Sequence, residues 1–328
     1  MGSGEQKNSV AMKFLWVIVP GLLLVCCAGF YTEKDSFTFK ETNEGIGLYE
    51  NGRPVYFYQR KPKVSDGRYT CNNYLHPVWG IDGDTITEEF PADHPYHRGI
   101  FWAWHQVFIG SQSVSDGWIM EHLVQDVVAI NSCTENKLAR LDVGVEWQSP
   151  LYEKGRSFLK EHTSVFVHPL QQGIRLIDFE ISLSALVPGV SIGGSDDEKG
   201  YGGFCVHSRL PENMAFTSAA GPVIPQTLQI DAGPWMDFSG SFGPDGATSG
   251  YAILCHPDTP NYPAPWILRR EASMQNIVYP GRQRIGLPLD KPVVLRYRLI
   301  IHTGDAHVVD LERLQAEYEK FAYRGKDD

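Results

Sequence analysis

The chain predicts an all-β fold, a large antiparallel β-sandwich with a C-terminal helix, and three observations carry that reading. Leu141, Val143, Val145 and Trp147 alternate with Asp142, Gly144 and Glu146, the period of a strand with one dry and one wet face. Alternation returns over Thr163 to Val167 and, past a Gln171-Gln172-Gly173 turn, over Ile177, Phe179, Ile181 and Leu183. Helical spacing is confined to the end, where Leu311, Leu314, Tyr318 and Phe321 recur at intervals of three and four. The 32 glycines and 21 prolines among 328 residues suit many turns between strands. No repeat, linker or break in composition divides the chain, so residues 30–328 read as one domain of two stacked sheets.

The elements follow in order. From Met12, a lysine precedes an apolar run, Phe14 to Gly29, of about 16 residues containing Pro20, shorter than the roughly 20 needed to span a membrane. Residues 1–29 therefore read as an N-terminal extension and secretory signal, which places the protein in a periplasm or outside the cell. An uncleaved anchor or a lipid on Cys26 or Cys27 is the alternative, although neither cysteine follows the usual glycine or alanine. Cys71, Cys133, Cys205 and Cys255 remain, an even number that an oxidising compartment can pair in three ways. Ser36 to Lys40 and Gly45 to Tyr58 are strand-like, with Asn51-Gly52 as a hairpin turn. A Gly- and acid-rich loop, Pro188 to Gly203, is long enough to suggest function. Further strands are expected at Tyr251 to Cys255 and Val293 to Ile301.

Chemistry concentrates in Glu88-Glu89-Phe90-Pro91-Ala92-Asp93-His94-Pro95-Tyr96-His97-Arg98-Gly99-Ile100-Phe101-Trp102-Ala103-Trp104-His105. Pro91 and Pro95 disfavour a helix, so these groups stand on a stiff loop running into a strand near Ile100. Imidazole exchanges protons near neutral pH, and a neighbouring carboxylate orients it. His94 and His97 are thus the candidate acid and base, with Glu89 or Asp93 as orienting carboxylates. Arg98 offers a planar fork to substrate oxygens, and Trp104 a face for a sugar ring. His94, His97 and His105 are also candidate ligands for a divalent metal, although their spacing matches no established ligand pattern. Cofactor identity stays open.

Two further clusters join this stretch. Cys255 to Arg270 holds four prolines around His256, Trp266 and Arg269, and Tyr201 to Arg209 carries His207 and Arg209 along one strand face. No phosphate loop, serine elbow or His-Glu-x-x-His pattern is present. The net charge of −10 argues against nucleic acid or an anionic membrane as a partner. A small molecule or oligosaccharide is the expected one.

His94-Pro95-Tyr96-His97-Arg98-Gly99, Tyr201-Gly202-Gly203, His256-Pro257 through Pro265-Trp266 and Arg269, and Arg296 to Leu299 through His302 to Asp305 together resemble the PmoA-like family, a bacterial family often labelled methane oxygenase. Tyr96, Asn261-Tyr262 and Ile267 depart from its pattern, standing where histidine or arginine is common. The label implies copper-dependent methane oxidation, but the membrane enzyme of that name needs several spanning helices and this chain has one apolar segment. The resemblance implies instead a large sandwich similar to galactose mutarotase, a scaffold common among sugar-active proteins. The resulting expectation is an exported carbohydrate-active lyase, hydrolase or epimerase working through His94, His97, Glu89 and Asp93. Substrate would be held by Arg98, Trp104, His207, Arg209, His256, Trp266 and Arg269. A metal-dependent oxygenase and a non-catalytic sugar-binding protein are the rivals.

Overall fold

The computed structural model describes residues 1–4 and 36–321, apart from 136, 272 and 273. The apolar run with its export and anchor readings lies outside the described residues. No described helix is long and apolar enough to cross a membrane. By backbone contacts the chain divides into Met1–Lys34 and Asp35–Asp328, and the fold belongs to the second unit.

Two large antiparallel sheets form it. One has nine strands in the order Val124–Glu135, Leu138–Gln148, Ser157–Val167, Ile174–Ala185, Val293–Thr303, Ser249–Cys255, Trp235–Gly240, Ala215–Ser218 and Gly221–Pro222. The other has eight, in the order Phe37–Glu41, Gly45–Glu50, Arg53–Gln59, Tyr74–Val78, Ile100–Ala103, Gly203–Val206, Gln275–Val278 and Trp266–Ile267. Their inner faces meet in one core. Phe204 of the second sheet lies 5.1 Å from Phe179 and 4.7 Å from Tyr297 of the first, centroid to centroid.

The period-two segments behave as their patterns require. Leu141, Val143, Val145 and Trp147 are buried, while Asp142 and Glu146 are partly wet. Val165 opposes Phe179 in the register of the next pair. At the hairpin Glu50 pairs with Arg53, and Asn51 and Gly52 both have positive φ, 49° and 81°, as a tight two-residue turn demands.

Three expectations change. The Pro188 to Gly203 segment is not all loop, since Val190–Gly193 joins a four-stranded sheet with Gln106–Ile109. Cys71, Cys133, Cys205 and Cys255 are all free thiols, buried except for Cys133, so packing rather than cross-linking accounts for them. The helix, Leu311–Tyr318, is shorter than its apolar spacing suggested: it is capped by the Asp310 side chain on Arg313 N at 3.1 Å and ends before Phe321.

The two outer faces are covered differently. The helix lays Leu311, Leu314 and Tyr318 against Trp235, Ala252, Leu254 and Ile300 of the nine-stranded sheet. On the eight-stranded sheet, Phe101, Ala103, Cys205, Ile267 and Val278 meet loop residues such as Trp118 and Met274. A face roofed by loops rather than by a helix is where side chains can be aimed at a ligand.

Candidate functional site

The loop leading to Ile100 is fixed by its own backbone. His94 N donates to Pro91 O at 3.1 Å, His97 N to His94 O at 2.9 Å, and Phe90 N to His97 O at 2.7 Å. Gly99 closes it: φ is 48°, and a Cβ there would sit 2.1 Å from Leu75 O, so only glycine fits between the His97-Arg98 pair and the sheet.

Held this way, His94 and His97 stack with ring centroids 4.7 Å apart and planes 7° from parallel. His207, one residue past its strand, brings a third imidazole to 5.1 Å from His97. Trp118 sets its edge against His97 at 5.8 Å and stacks on His105 at 5.4 Å. Asp116 organises that side, accepting Trp118 N at 2.9 Å through one oxygen and contacting His105 Nδ1 at 2.7 Å through the other. Opposite, Asp197 accepts Ser195 Oγ at 2.7 Å and Lys199 N at 3.0 Å, folding the turn that presents Tyr201.

These groups enclose a cavity of about 120 Å³ lined by His94, Tyr96, His97, Trp118, Lys199, Tyr201, Arg269 and Met274. All three sequence clusters therefore reach it, one through His94, Tyr96 and His97, one through Tyr201 and one through Arg269, with His207 packed behind His97. The third is represented by Arg269 alone, because His256 belongs to the helix side, its ring 5.0 Å from Tyr318. The expectation that His256 shares the site is corrected accordingly.

Other candidate roles are corrected by burial. Trp104 and Trp266 are completely buried and donate to the carbonyls of Tyr279 at 2.7 Å and Gly233 at 2.9 Å, so neither is a sugar platform. Glu89 turns away, bonded to Lys63 and to the Tyr74 hydroxyl, the latter at 2.7 Å. Arg209 is exposed and does not line the cavity. Arg98 is buried, donating to Tyr96 O at 3.0 Å and Met120 Sδ at 3.3 Å with its guanidinium 4.6 Å over Phe101; it shapes the site without lining the cavity. Asp93 lies beside His94, its Oδ2 3.1 Å from Nδ1.

Trp118, Lys199 and Met274 line the cavity although the sequence singled out none of them. Lys199 and Tyr201 fall in the Pro188 to Gly203 segment, whose length was the available signal. Nothing local marks Trp118 or Met274.

Burial, then the neighbouring His207, His94, Arg98 and His105, hold the His97 imidazole well below its usual 6.5, so it is neutral at pH 7. Burial first, and then Tyr96, Asp197 and Asp116, push the Tyr201 phenol up to about 12, keeping it a proton donor. The sign for stability follows. A base whose folded pKa is depressed binds its proton more readily in the unfolded chain, so stability falls as pH drops below 6.5 and on through the folded value. Thermal midpoints measured between pH 8 and pH 5 should decline more steeply in the wild type than in His97→Leu, by up to about 1.4 kcal/mol per pH unit. Parallel curves would remove His97 as the cause.

Metal-ligating lone pairs lie in the imidazole plane, and two nearly parallel stacked planes share no point, so His94 and His97 do not coordinate one ion in this arrangement. Among the described residues, no group of three or more His, Cys, Asp or Glu is placed to hold a metal.

Fold and site define an all-β sandwich protein with an imidazole-, phenol- and guanidinium-lined pocket on the outer face of one sheet. The chain belongs to the family of unknown function DUF6807, whose profile matches residues 46–317. That description carries no oxygenase activity. No curated protein matches the chain.

Proposed function

We propose that the protein is an exported carbohydrate-active enzyme working by acid–base chemistry at the His94–His97 pair. The observation that carries this is the stacked imidazole pair opening on a cavity that combines aromatic faces, Trp118, Tyr96 and Tyr201, with fixed cationic donors. Sugars present apolar ring faces and hydroxyl edges together, and such a mixture complements both. Asp93 orients His94 for proton transfer, His97 stays neutral to accept a proton or hydrogen bond, and the Tyr201 phenol supplies one. The export half of the reading rests on the apolar run before Phe30, and the PmoA-like motif matches support a shared scaffold.

The cavity lining narrows the reaction. Glycoside hydrolysis of the usual kind needs two carboxyl groups flanking the bond, and among the described residues no Asp or Glu lines this cavity. Lyase or epimerase chemistry, which needs a base, an acid and a cation, fits better.

Turnover screened on a panel of sugars, sugar acids and keto-sugars should fall about 10²- to 10⁴-fold in His94→Ala and in His97→Ala. Unchanged rates in both variants would end the proposal. Stoichiometric copper, iron or zinc in protein purified without added metal, with turnover lost on chelation, would replace it by metal-dependent chemistry.

A further inference from the structure

We infer that the sugar taken by this site is an acid, and that Arg269 holds its carboxylate. The inference rests on the proposed carbohydrate reading and names the substrate class within it.

The argument begins with the Arg269 donors. A guanidinium has five N–H groups. Three are used: Nη1 donates to Gln226 O at 2.8 Å and Leu268 O at 3.0 Å, and Nη2 to Thr227 O at 3.0 Å. What remains is the Nε–H and one Nη2–H, neighbours on one edge of the fork, spaced for the two oxygens of a carboxylate. Among the described residues neither has an acceptor and no carboxylate forms an ion pair with Arg269, although the side chain is half-buried. The carbonyls fix the end of the fork and leave its side edge free. A cation held by three neutral acceptors is preorganised for an anion it does not yet have.

Its surroundings agree. Arg269 lines both the imidazole cavity and a neighbouring cleft of about 470 Å³, which adds Arg270 and shares Lys199. Lys199 is already paired, its Nζ 3.0 Å from Asp197, whereas Arg270 donates to Met214 O at 3.0 Å and lies 5.3 Å over the Phe216 ring. Arg269 is thus the unpaired cation shared by both spaces. A neutral sugar would leave its free edge to water; a uronate would fill it.

The chemistry then connects. Pairing a carboxylate with a guanidinium partly neutralises it, and the carbon bearing it loses a proton more readily. The His94–His97 pair takes that proton while the C–H electrons move into the carboxylate as an enediolate. A proton returned on the other face inverts the carbon. Alternatively, the electrons form a C=C bond, the C–O bond one carbon further on breaks, and the leaving oxygen takes a proton from Tyr201. Neither route needs an oxidant.

The test uses the full chain with galacturonate, glucuronate, galactose, glucose, glucose 6-phosphate and inorganic sulfate, read by thermal midpoint and by NMR in deuterium oxide. A uronate should raise the midpoint where the neutral sugars do not, and should exchange deuterium at the carbon bearing its carboxylate. Arg269→Met should weaken uronate binding at least tenfold while ligand-free unfolding stays cooperative, and Arg269→Lys, which restores charge without the fork, should recover only part. Equal binding of neutral sugars overturns the acid assignment and leaves the enzyme reading standing. Binding of glucose 6-phosphate or sulfate as strong as that of the uronates overturns the carboxylate in favour of an ester. Uronate binding lost in Arg269→Met but without exchange upholds the Arg269 assignment and overturns the enzyme. Absence of binding by any probe overturns both.

Discussion

Glu161→Leu should destabilise the protein by on the order of 5 kcal/mol, and Glu161→Gln by about 1–3 kcal/mol. Glu161 is fully buried, yet among the described residues no cation pairs with its carboxylate. Oε1 accepts Asn73 Nδ2 and Trp102 Nε1, each at 2.9 Å, and Thr163 Oγ1 at 3.1 Å, while Oε2 accepts Trp147 Nε1 at 2.9 Å. Burial pushes the carboxyl up, and these four bonds pull it back only in part. Leucine would strand the three N–H groups in a dry core, at about 1–3 kcal/mol each. Glutamine keeps one oxygen for the Oε1 donors but turns an NH₂ toward Trp147 Nε1–H, a single donor–donor conflict. Trp102 belongs to one sheet and Trp147 to the other, so this carboxylate also ties the strand that follows the His94–His97 loop to the opposite layer. Urea unfolding would check the order of the two variants; a leucine variant as stable as the glutamine one would show that the donors are not what the carboxylate satisfies.

Legibility in the sequence followed locality. Period two over Leu141 to Trp147 needed only neighbouring residues, as did the Asn51-Gly52 turn, and both appear as strand and hairpin. The stretch from Glu88 to His105 could be recognised as a site because prolines and ionisable groups crowd together there. What could not be read was the facing of side chains in Ile100–Ala103, which is buried on both sides. Alternation carries no signal in such a strand, so Trp104 at its end read as a sugar platform although it lies in the core. Glu89 misled for a related reason, since its partners Lys63 and Tyr74 come from other strands. Arg269 lines the cavity at the end of a proline-rich stretch that the sequence itself marks, whereas Trp118 reaches it through an Asp116 turn that no motif marks.

Removing Asp178 should cost a further 3–5 kcal/mol or so, and the loss should depend on Arg298 remaining. Asp178 is completely buried and grips Arg298 side-on, Oδ1 to Nε at 2.5 Å and Oδ2 to Nη2 at 2.8 Å, with His168 Nε2 also 2.8 Å from Oδ2. The guanidinium lies 4.5 Å over Tyr318, so the pair is sealed beneath the helix. Asp178→Ala leaves a buried cation without its carboxylate. Asp178→Ala with Arg298→Met removes both charges and should be more stable than the sum of the single changes predicts, the coupling a double-mutant cycle measures. Burial opposes ionisation of Asp178, but the bonds and charge of Arg298 and then His168 outweigh it and hold the carboxyl below its usual 3.8. A carboxyl with a depressed folded pKa contributes stability fully above its unfolded value and loses it as pH falls through the folded one. Acid unfolding below 3.8 should therefore be sharper in the wild type than in Asp178→Ala, which has already lost that contribution. Additive single variants, or identical acid transitions, would mean that helix packing on Tyr318, rather than the ion pair, secures this face.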